Sequence, residues 1–409
     1  MPWGDGRASD RFGFAHSNHR RRKMQASHVS TPIAGHNGTI FVAIELSQKD
    51  WLVSLHSPDR DRISHHKVAA GDHAALLSLL EGVRERAGRK LGPVPGVKSC
   101  YEAGYDGFWL HRFLQANGVE SYVFDPASIA VEQRSRRAKT DRIDGEQLVR
   151  TLMAYLRGEP RVVRIVRVPG PDQEDARRVS RERDRLVGEQ TGHTNRIKSL
   201  LRLHGFAVGN PRRRDWLTWL AGQRDWQGRP VAPQILAEIE REHARLMLVR
   251  EQLAALETPC VRALATPAAV EIGRRQETLF RLKSLGPVFT TSLTCEVFYK
   301  DFTNGRQVGS YVGLAPSPWR SGGIDREQGI SKAGNPRARQ KAIELAWLWV
   351  RHQPDSALTL WFRERTAKSS KRIKRIAIVA LARKLMVALW RFVTTGLVPT
   401  GAKLKPASA

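Results

Sequence analysis

The sequence predicts an α/β domain on its N-terminal side and a mainly helical remainder. Three observations carry this. Short β-branched apolar runs alternate with helix-period segments between residues 39 and 124. Helical periodicity takes over from about residue 172, and some of those helical segments are very basic. The length, 409 residues, exceeds what one core accommodates and implies two or three domains.

The elements follow in order. Residues 39–46, Thr-Ile-Phe-Val-Ala-Ile-Glu-Leu, form an apolar strand with one acid, Glu45, inside it. Residues 51–56 form a second strand after a turn at Gln48-Lys49-Asp50. A helix covers 72–88, with Ala75, Leu76, Leu79, Leu80 and Val83 at helical spacing. A strand over 97–102 ends on Glu102, a helix holds Trp109, Leu110, Phe113 and Leu114, and a further strand lies near 121–124. Such alternation implies a largely covered sheet.

Residues 176–204 are helical and very basic, and Pro211-Arg-Arg-Arg-Asp and Gly228-Arg-Pro mark breaks. Ile235, Ile239, Leu246, Val249, Leu253 and Leu256 then make a short heptad pattern, with Glu242 at one seam position. Two readings stay open, an intramolecular helical hairpin and a dimerising coiled coil. Residues 282–293 place a Gly-Pro turn between two apolar helical halves, like a helix-hairpin-helix whose turn amides can hold a phosphate. A loop rich in Gly, Ser and Pro is expected at 313–336, and a helix at about 337–351.

Charge narrows the function. There are 68 Lys+Arg against 40 Asp+Glu, a net of +28, which calls for a polyanionic partner. Residues 361–409 alone hold six Lys and six Arg against the single acid Glu364, favouring contact with a nucleic-acid backbone. A ribosomal or nucleoid-packing protein would rarely be this long or carry eleven Trp. Cys100, Cys260 and Cys295 form no CxxC pair, so neither a zinc ribbon nor a disulfide framework is supported, and a reducing compartment is expected. The apolar stretch 376–398 is interrupted by Arg383, Lys384 and Arg391 and reads as a basic amphipathic helix, not a membrane span. Residues 1–37 read as a flexible basic arm containing His19-Arg20-Arg21-Arg22-Lys23, or in part as an over-long start ahead of Met24. The expected location is the cytoplasm, at the nucleoid.

Four acids stand out. Glu45 lies inside an apolar strand, where a carboxylate is costly unless solvated, paired or metal-bound. Glu102 ends another strand. Asp141 and Asp144, in Ala138-Lys-Thr-Asp-Arg-Ile-Asp-Gly145, are three residues apart and share a helix face. A helix across the sheet can bring all four together. Their mutual repulsion would then call for a divalent cation, with Mg²⁺ suited to oxygen ligands and phosphate chemistry and Mn²⁺ as a substitute. Arg134, Arg136, Arg137, Lys139 and Arg142 flank the two aspartates and could steer a DNA backbone.

Several motifs resemble a known family. They are Ile44-Glu-Leu-Ser47 with Trp51; Glu102-Ala-Gly-Tyr-Asp-Gly-Phe-Trp-Leu-His-Arg; Ala138-Lys-Thr-Asp-Arg-Ile-Asp144; and Tyr311-Val-Gly-Leu-Ala-Pro-Ser-Pro-Trp-Arg-Ser-Gly322 running to Gly329-Ile-Ser-Lys-Ala-Gly-Asn335. Over roughly residues 38 to 395 the chain resembles bacterial insertion-sequence transposases of the DEDD/serine class, relatives of the Piv DNA invertase that are recognised as RNA-guided recombinases. The last two motifs are the specific ones. The resemblance implies an RNase H-like (RuvC-like) α/β domain over 38–160, a helical linker with a coiled coil over 161–275, a small mainly α serine-bearing transposase domain over 276–357, and a basic C-terminal helix and tail over 358–409.

The family's metal-binding carboxylates carry over to Glu45, Glu102, Asp141 and Asp144, with Glu45 standing where the family has Asp. Its nucleophile carries over to Ser321, with Ser331 as competitor and Ser317 as a distant third. The implied reaction is DNA strand transfer through a phosphoserine link, assisted by Mg²⁺. The implied partners are donor and target DNA, a guide RNA from the element's flank, and further copies of the chain in a dimer or tetramer. Candidate nucleic-acid contacts are Arg137, Lys139, Arg142, Arg196, Lys198, Lys332, Lys371 and Arg372. Two alternatives remain: a metal-dependent endonuclease of Holliday-junction-resolvase type, and an inactive nucleic-acid-binding relative.

Overall fold

A computed structural model describes residues 38–129, 141–159, 161–265, 271–321 and 324–406. The chain divides into two compact units, Met1–Val166 and Arg167–Ala409.

The first unit is built on a five-stranded sheet of β1 (Thr39–Glu45), β2 (Asp50–His56), β3 (Ser64–Ala69), β4 (Gly96–Glu102) and β5 (Glu120–Phe124). Their spatial order is β3-β2-β1-β4-β5. β1 pairs antiparallel with β2 and parallel with β4; β2–β3 is antiparallel and β4–β5 parallel. The helices α1 (His73–Leu91), α2 (Trp109–Ala116) and α3 (Asp141–Leu156) cover it. β1 is central, which is why its apolar run is continuous: Ile40, Val42, Ala43 and Ile44 are fully buried. The pleat sorts its residues. Phe41 and Ala43 join Cys100, Leu148, Val149 and Leu152 in the core beneath α3.

The expected strands and helices of this unit are present at close to their expected bounds. β3 was not expected. Its sequence, Ser-His-His-Lys-Val-Ala, buries only Val68, so it carries almost no alternation and is held by pairing at the sheet edge.

Among the described residues the second unit is helical apart from one β-hairpin and an isolated bridge between Leu282 and Leu404. Helices α4 (Pro171–Leu203) and α6 (Pro233–Ala265) pack against each other, and α5 (Trp216–Ala221) lies in the connection between them. The heptad residues Ile239 and Leu246 are buried with Ile197 and Leu201 of α4, and Val249 and Leu253 with Leu186. Of the two open readings, the fold takes the intramolecular hairpin, since α4 supplies the partner surface for the seam.

Beyond lie α7 (Glu271–Phe280), α8 (Pro287–Glu296), α9 (Gly305–Tyr311), the strands β6 (Pro316–Ser321) and β7 (Ile324–Ile330), and then α10 (Pro336–His352), α11 (Ala357–Thr366) and α12 (Lys371–Thr395). Leu345, Trp349, Leu381, Leu385 and Leu389, all fully buried, anchor their shared core. Ser370 caps the start of α12, and Gly396, in the left-handed region at φ 74°, ends it.

Two expectations are corrected here. Residues 313–336 contain β6 and β7 where a loop was expected; Pro316 and Pro318 hide the strand by removing ladder donors. Residues 282–286 are not helical, and α8 starts only at Pro287. Two amides ahead of the Gly-Pro turn are used internally: Lys283 N donates to Lys403 O (3.1 Å) and Leu285 N to Leu282 O (3.1 Å). The returning tail also donates from Lys405 Nζ to Leu285 O (2.7 Å). Among the described residues no helix is long and apolar enough to cross a membrane.

Candidate active site

Glu45 and Glu102 end β1 and β4, two adjacent parallel strands. Side chains alternate along a strand, so Glu45 shares a face with Phe41 and Ala43, and Glu102 shares one with Cys100. That is the face α3 covers. The two glutamates line one cleft of about 160 Å³ with Tyr105 and Asp106.

Asp141 and Asp144 occupy the first turn of α3, where the helix dipole favours negative charge. Gly145 sets where that turn lies. Any side chain there would meet Ser54 and Leu52 of β2, and Leu52 is the register partner of Glu45. One turn on, α3 has reached β4, where Leu148 O accepts from Cys100 Sγ at 3.6 Å. The four acids therefore share one face and one end of the sheet.

They do not make the four-carboxylate cluster that was expected. Among the described residues, no three His, Cys, Asp or Glu side chains come together as a metal-binding group. In the first turn of α3, Gly145 lies against Ser54 and Leu52 of β2, while the two glutamates end β1 and β4. Like charges also resist closer approach. An oxygen-only pair still suits a hard cation, because Mg²⁺ is commonly held by one or two carboxylates together with phosphate oxygens. Glu45 and Glu102 fit that mode.

Ser321 is the last residue of β6 and pairs with Ile324 across the hairpin; it belongs to the second unit, the carboxylates to the first. The base of this hairpin is braced. Ser331 N donates to Ala315 O (2.8 Å), Lys332 N to Gly313 O (3.2 Å) and Asn335 N to Tyr311 O (2.8 Å). Asn335 also caps α10, its Oδ1 accepting from Arg337 N (3.0 Å) and Ala338 N (3.1 Å). Its Nδ2 donates to Glu296 Oε2 at 3.0 Å. Glu296, buried, is gripped by Arg181 at 2.8 and 3.3 Å. Burial pushes the Glu296 carboxyl up, but the Arg181 and Asn335 hydrogen bonds and the charges of Arg181 and Arg177 outweigh it and hold the pKa below the ordinary value. Ser331 is exposed and Ser317 half-buried.

The basic candidates scatter. Arg142 is exposed and donates from Nε to Glu146 at 3.4 Å. Arg196 braces the α4–α6 hairpin through Glu238 at 2.8 and 2.6 Å, and Lys198 is half-buried nearby. Lys332 is exposed with φ 54°, and Lys371 and Arg372 are exposed in the first turn of α12. Arg137 and Lys139 lie outside the described residues.

Comparison with known proteins decides the family. Residues 42–205 match a family model described as DEDD transposase of the IS110 type, and residues 276–360 match the transposase model of the IS116/IS110/IS902 family. A Sinorhizobium fredii (strain NBRC 101917 / NGR234) protein named "Putative transposase y4rJ" is 47% identical over 379 residues, 90% of this chain and 95% of its own length. The chain belongs to the IS110/IS116/IS902 family of transposases. A second relative, the transposase for insertion sequence element IS1111A of Coxiella burnetii (strain RSA 493 / Nine Mile phase I), is 25% identical over 73% of this chain and 77% of its own.

Two parts of this transposase were invisible in the sequence. One is the Arg181–Glu296–Asn335 network, of which only Asn335 sat in a quoted motif. The other is a relay beside α3: Ser54 Oγ lies 3.0 Å from His65 Nδ1, and His65 Nε2 lies 3.2 Å from Glu146 Oε1. It ties α3 to β2 and β3. Its only sequence signal was Glu146, two residues after Asp144, because β3 itself was not foreseen.

Proposed function

We propose that this transposase cuts and rejoins DNA through Ser321, assisted by the carboxylates Glu45, Glu102, Asp141 and Asp144. The Ser321 oxygen bonds to a phosphorus of the DNA backbone, a deoxyribose oxygen leaves, and the serine proton is passed to a base. The phosphoserine link conserves the bond energy, so the reverse attack by a new strand end reseals the DNA. The observation that carries this is the Glu45–Glu102 cleft at the ends of adjacent parallel strands, in a family of transposases. A mixed five-stranded sheet with such a cleft is compatible with an RNase H-like domain. A divalent ion held there would supply a Lewis acid at the scissile phosphate. The chain's own contribution is to position: α3 sets the two aspartates, and the Asn335 brace sets the hairpin that bears Ser321.

The reading extends to a guide RNA and to an oligomer in which one copy's serine completes another copy's carboxylate site. The excess of basic charge supports a nucleic-acid partner of either kind. The test is a trapping assay with labelled donor and target DNA, the RNA encoded beside the gene, and Mg²⁺, resolved on denaturing gels. A covalent protein–DNA band present in the wild type and lost in Ser321→Ala supports the reading. Cleavage that survives Ser321→Ala but fails in Asp144→Ala, with no adduct, replaces it with a metal-dependent nuclease.

A further inference from the structure

The connection between α4 and α6 is far longer than a helical hairpin needs. Residues 204–232 stand where about two to eight usually suffice. Connections on a rigid scaffold carry a disproportionate share of binding residues. This one has its own core, in which Phe206, Trp216, Leu220 and Val231 are buried against the hairpin end. Trp216 also donates from Nε1 to Val208 O at 3.1 Å.

On this base sits a locked turn. Asp225 Oδ1 accepts from Gln227 N and Arg229 N, each at 2.8 Å, and Asp225 Oδ2 accepts from Arg229 Nε at 3.0 Å. Gly228, at φ 78°, closes the turn with N to Asp225 O at 3.0 Å. The residue this turn presents is Trp226, 82% exposed. A scattered exposed apolar residue normally means nothing. Here the indole is held by a rigid turn, with its Cδ1 near Gly205. It lines a groove of about 690 Å³ with Arg202, His204 and Arg229. The charged lining of the groove is Arg202 and Arg229 against Asp225, a net of +1, within a segment 202–229 that holds six Arg against two Asp.

An exposed indole face within a cationic groove is the equipment for one job: stacking an unpaired base while cations hold the flanking phosphates. We propose that the tip of the α4–α6 hairpin is a single-stranded nucleic-acid contact in which Trp226 stacks an unpaired base. Duplex DNA, with its bases already stacked, cannot use the indole. The proposal rests on the chain acting on nucleic acid; it does not depend on Ser321 or the carboxylates.

The experiment uses the full chain as wild type, Trp226→Ala and Trp226→Phe. Fluorescence anisotropy follows binding to a labelled oligodeoxythymidylate, its uridine counterpart and a duplex of equal length, at a salt concentration that suppresses general charge attraction. Trp226→Ala weakens single-strand binding roughly 5- to 100-fold, the size of one base–aromatic stack. Trp226→Phe restores most of it, and duplex affinity and melting temperature stay unchanged. The strand that suffers the larger loss identifies DNA or RNA as the occupant. Photocrosslinking of a 5-iodouracil strand to the Trp226 peptide is the direct readout. Equal affinities for all three chains overturn the proposal. So does an equal loss on single strands and duplex. A changed oligomeric mass in Trp226→Ala with unchanged affinity also overturns it and makes the tip a protein contact.

Discussion

Gly145 shows how a single residue governs the site. A Cβ there would collide with Ser54 Oγ, so only glycine lets α3 lie this close to β2. Gly145→Ala is expected to cost about 1–3 kcal/mol, read by urea denaturation, and to lower strand exchange further because Asp141 and Asp144 ride on the displaced turn. Glu296 acts differently, through charge. Its folded pKa lies below the unfolded one, so the stability it adds is present above the ordinary glutamate value of 4.5 and is lost as pH falls through the lower folded value. Glu296→Gln should therefore flatten the acid side of a melting-temperature profile and cost about 1–3 kcal/mol at neutral pH. An unchanged acid limb would mean that Arg181 and Asn335 do not hold this carboxylate. These two residues also mark the limit of sequence reading. Glu45 drew attention as an acid inside an apolar strand, Glu102 as an acid ending one, and Asp141 and Asp144 by their shared helix face within a recognisable motif. Glu296 sits after Thr-Cys in an unremarkable run, and its partners lie 115 and 39 residues away.

Elements were legible where one face dominates. β1, β4 and β5 and the helices α1 and α2 announce themselves by period, because burial imposes it. β3, β6 and β7 do not: β3 is polar at a sheet edge, and β6 carries prolines. The heptad in α6 was legible as a seam, but the identity of the partner was not, since α4 and a second copy present the same apolar chemistry. With the seam closed inside the chain, Leu246→Ala opens a cavity against α4 and should cost about 2–5 kcal/mol in denaturant unfolding. A loss of oligomer mass without loss of stability would reassign the seam to a partner.

At the scale of the whole molecule, charge is the dominant property. A net of +28 makes association with DNA a matter of counterion release. Affinity for duplex DNA should fall roughly a thousandfold or more between 50 and 200 mM salt when six or more phosphates are neutralised, as measured by a salt titration of Kd. A shallow slope would mean that most of the basic surface stands away from the duplex.

What the sequence by itself determined was the transposase family, the four acids and the serine to ask about, and most elements of the α/β unit. These are local: a motif, a period or a charge excess is complete within a few dozen residues. The tertiary structure alone decided that Glu45 and Glu102 share a cleft while Gly145, beside the two aspartates, packs on β2. It also decided that the heptad closes on α4, that Asn335 is braced by a buried Glu296, and that Trp226 stands in a basic groove. Each of these depends on contacts between distant segments, and no local pattern encodes which of several equally apolar or equally charged partners a segment will meet.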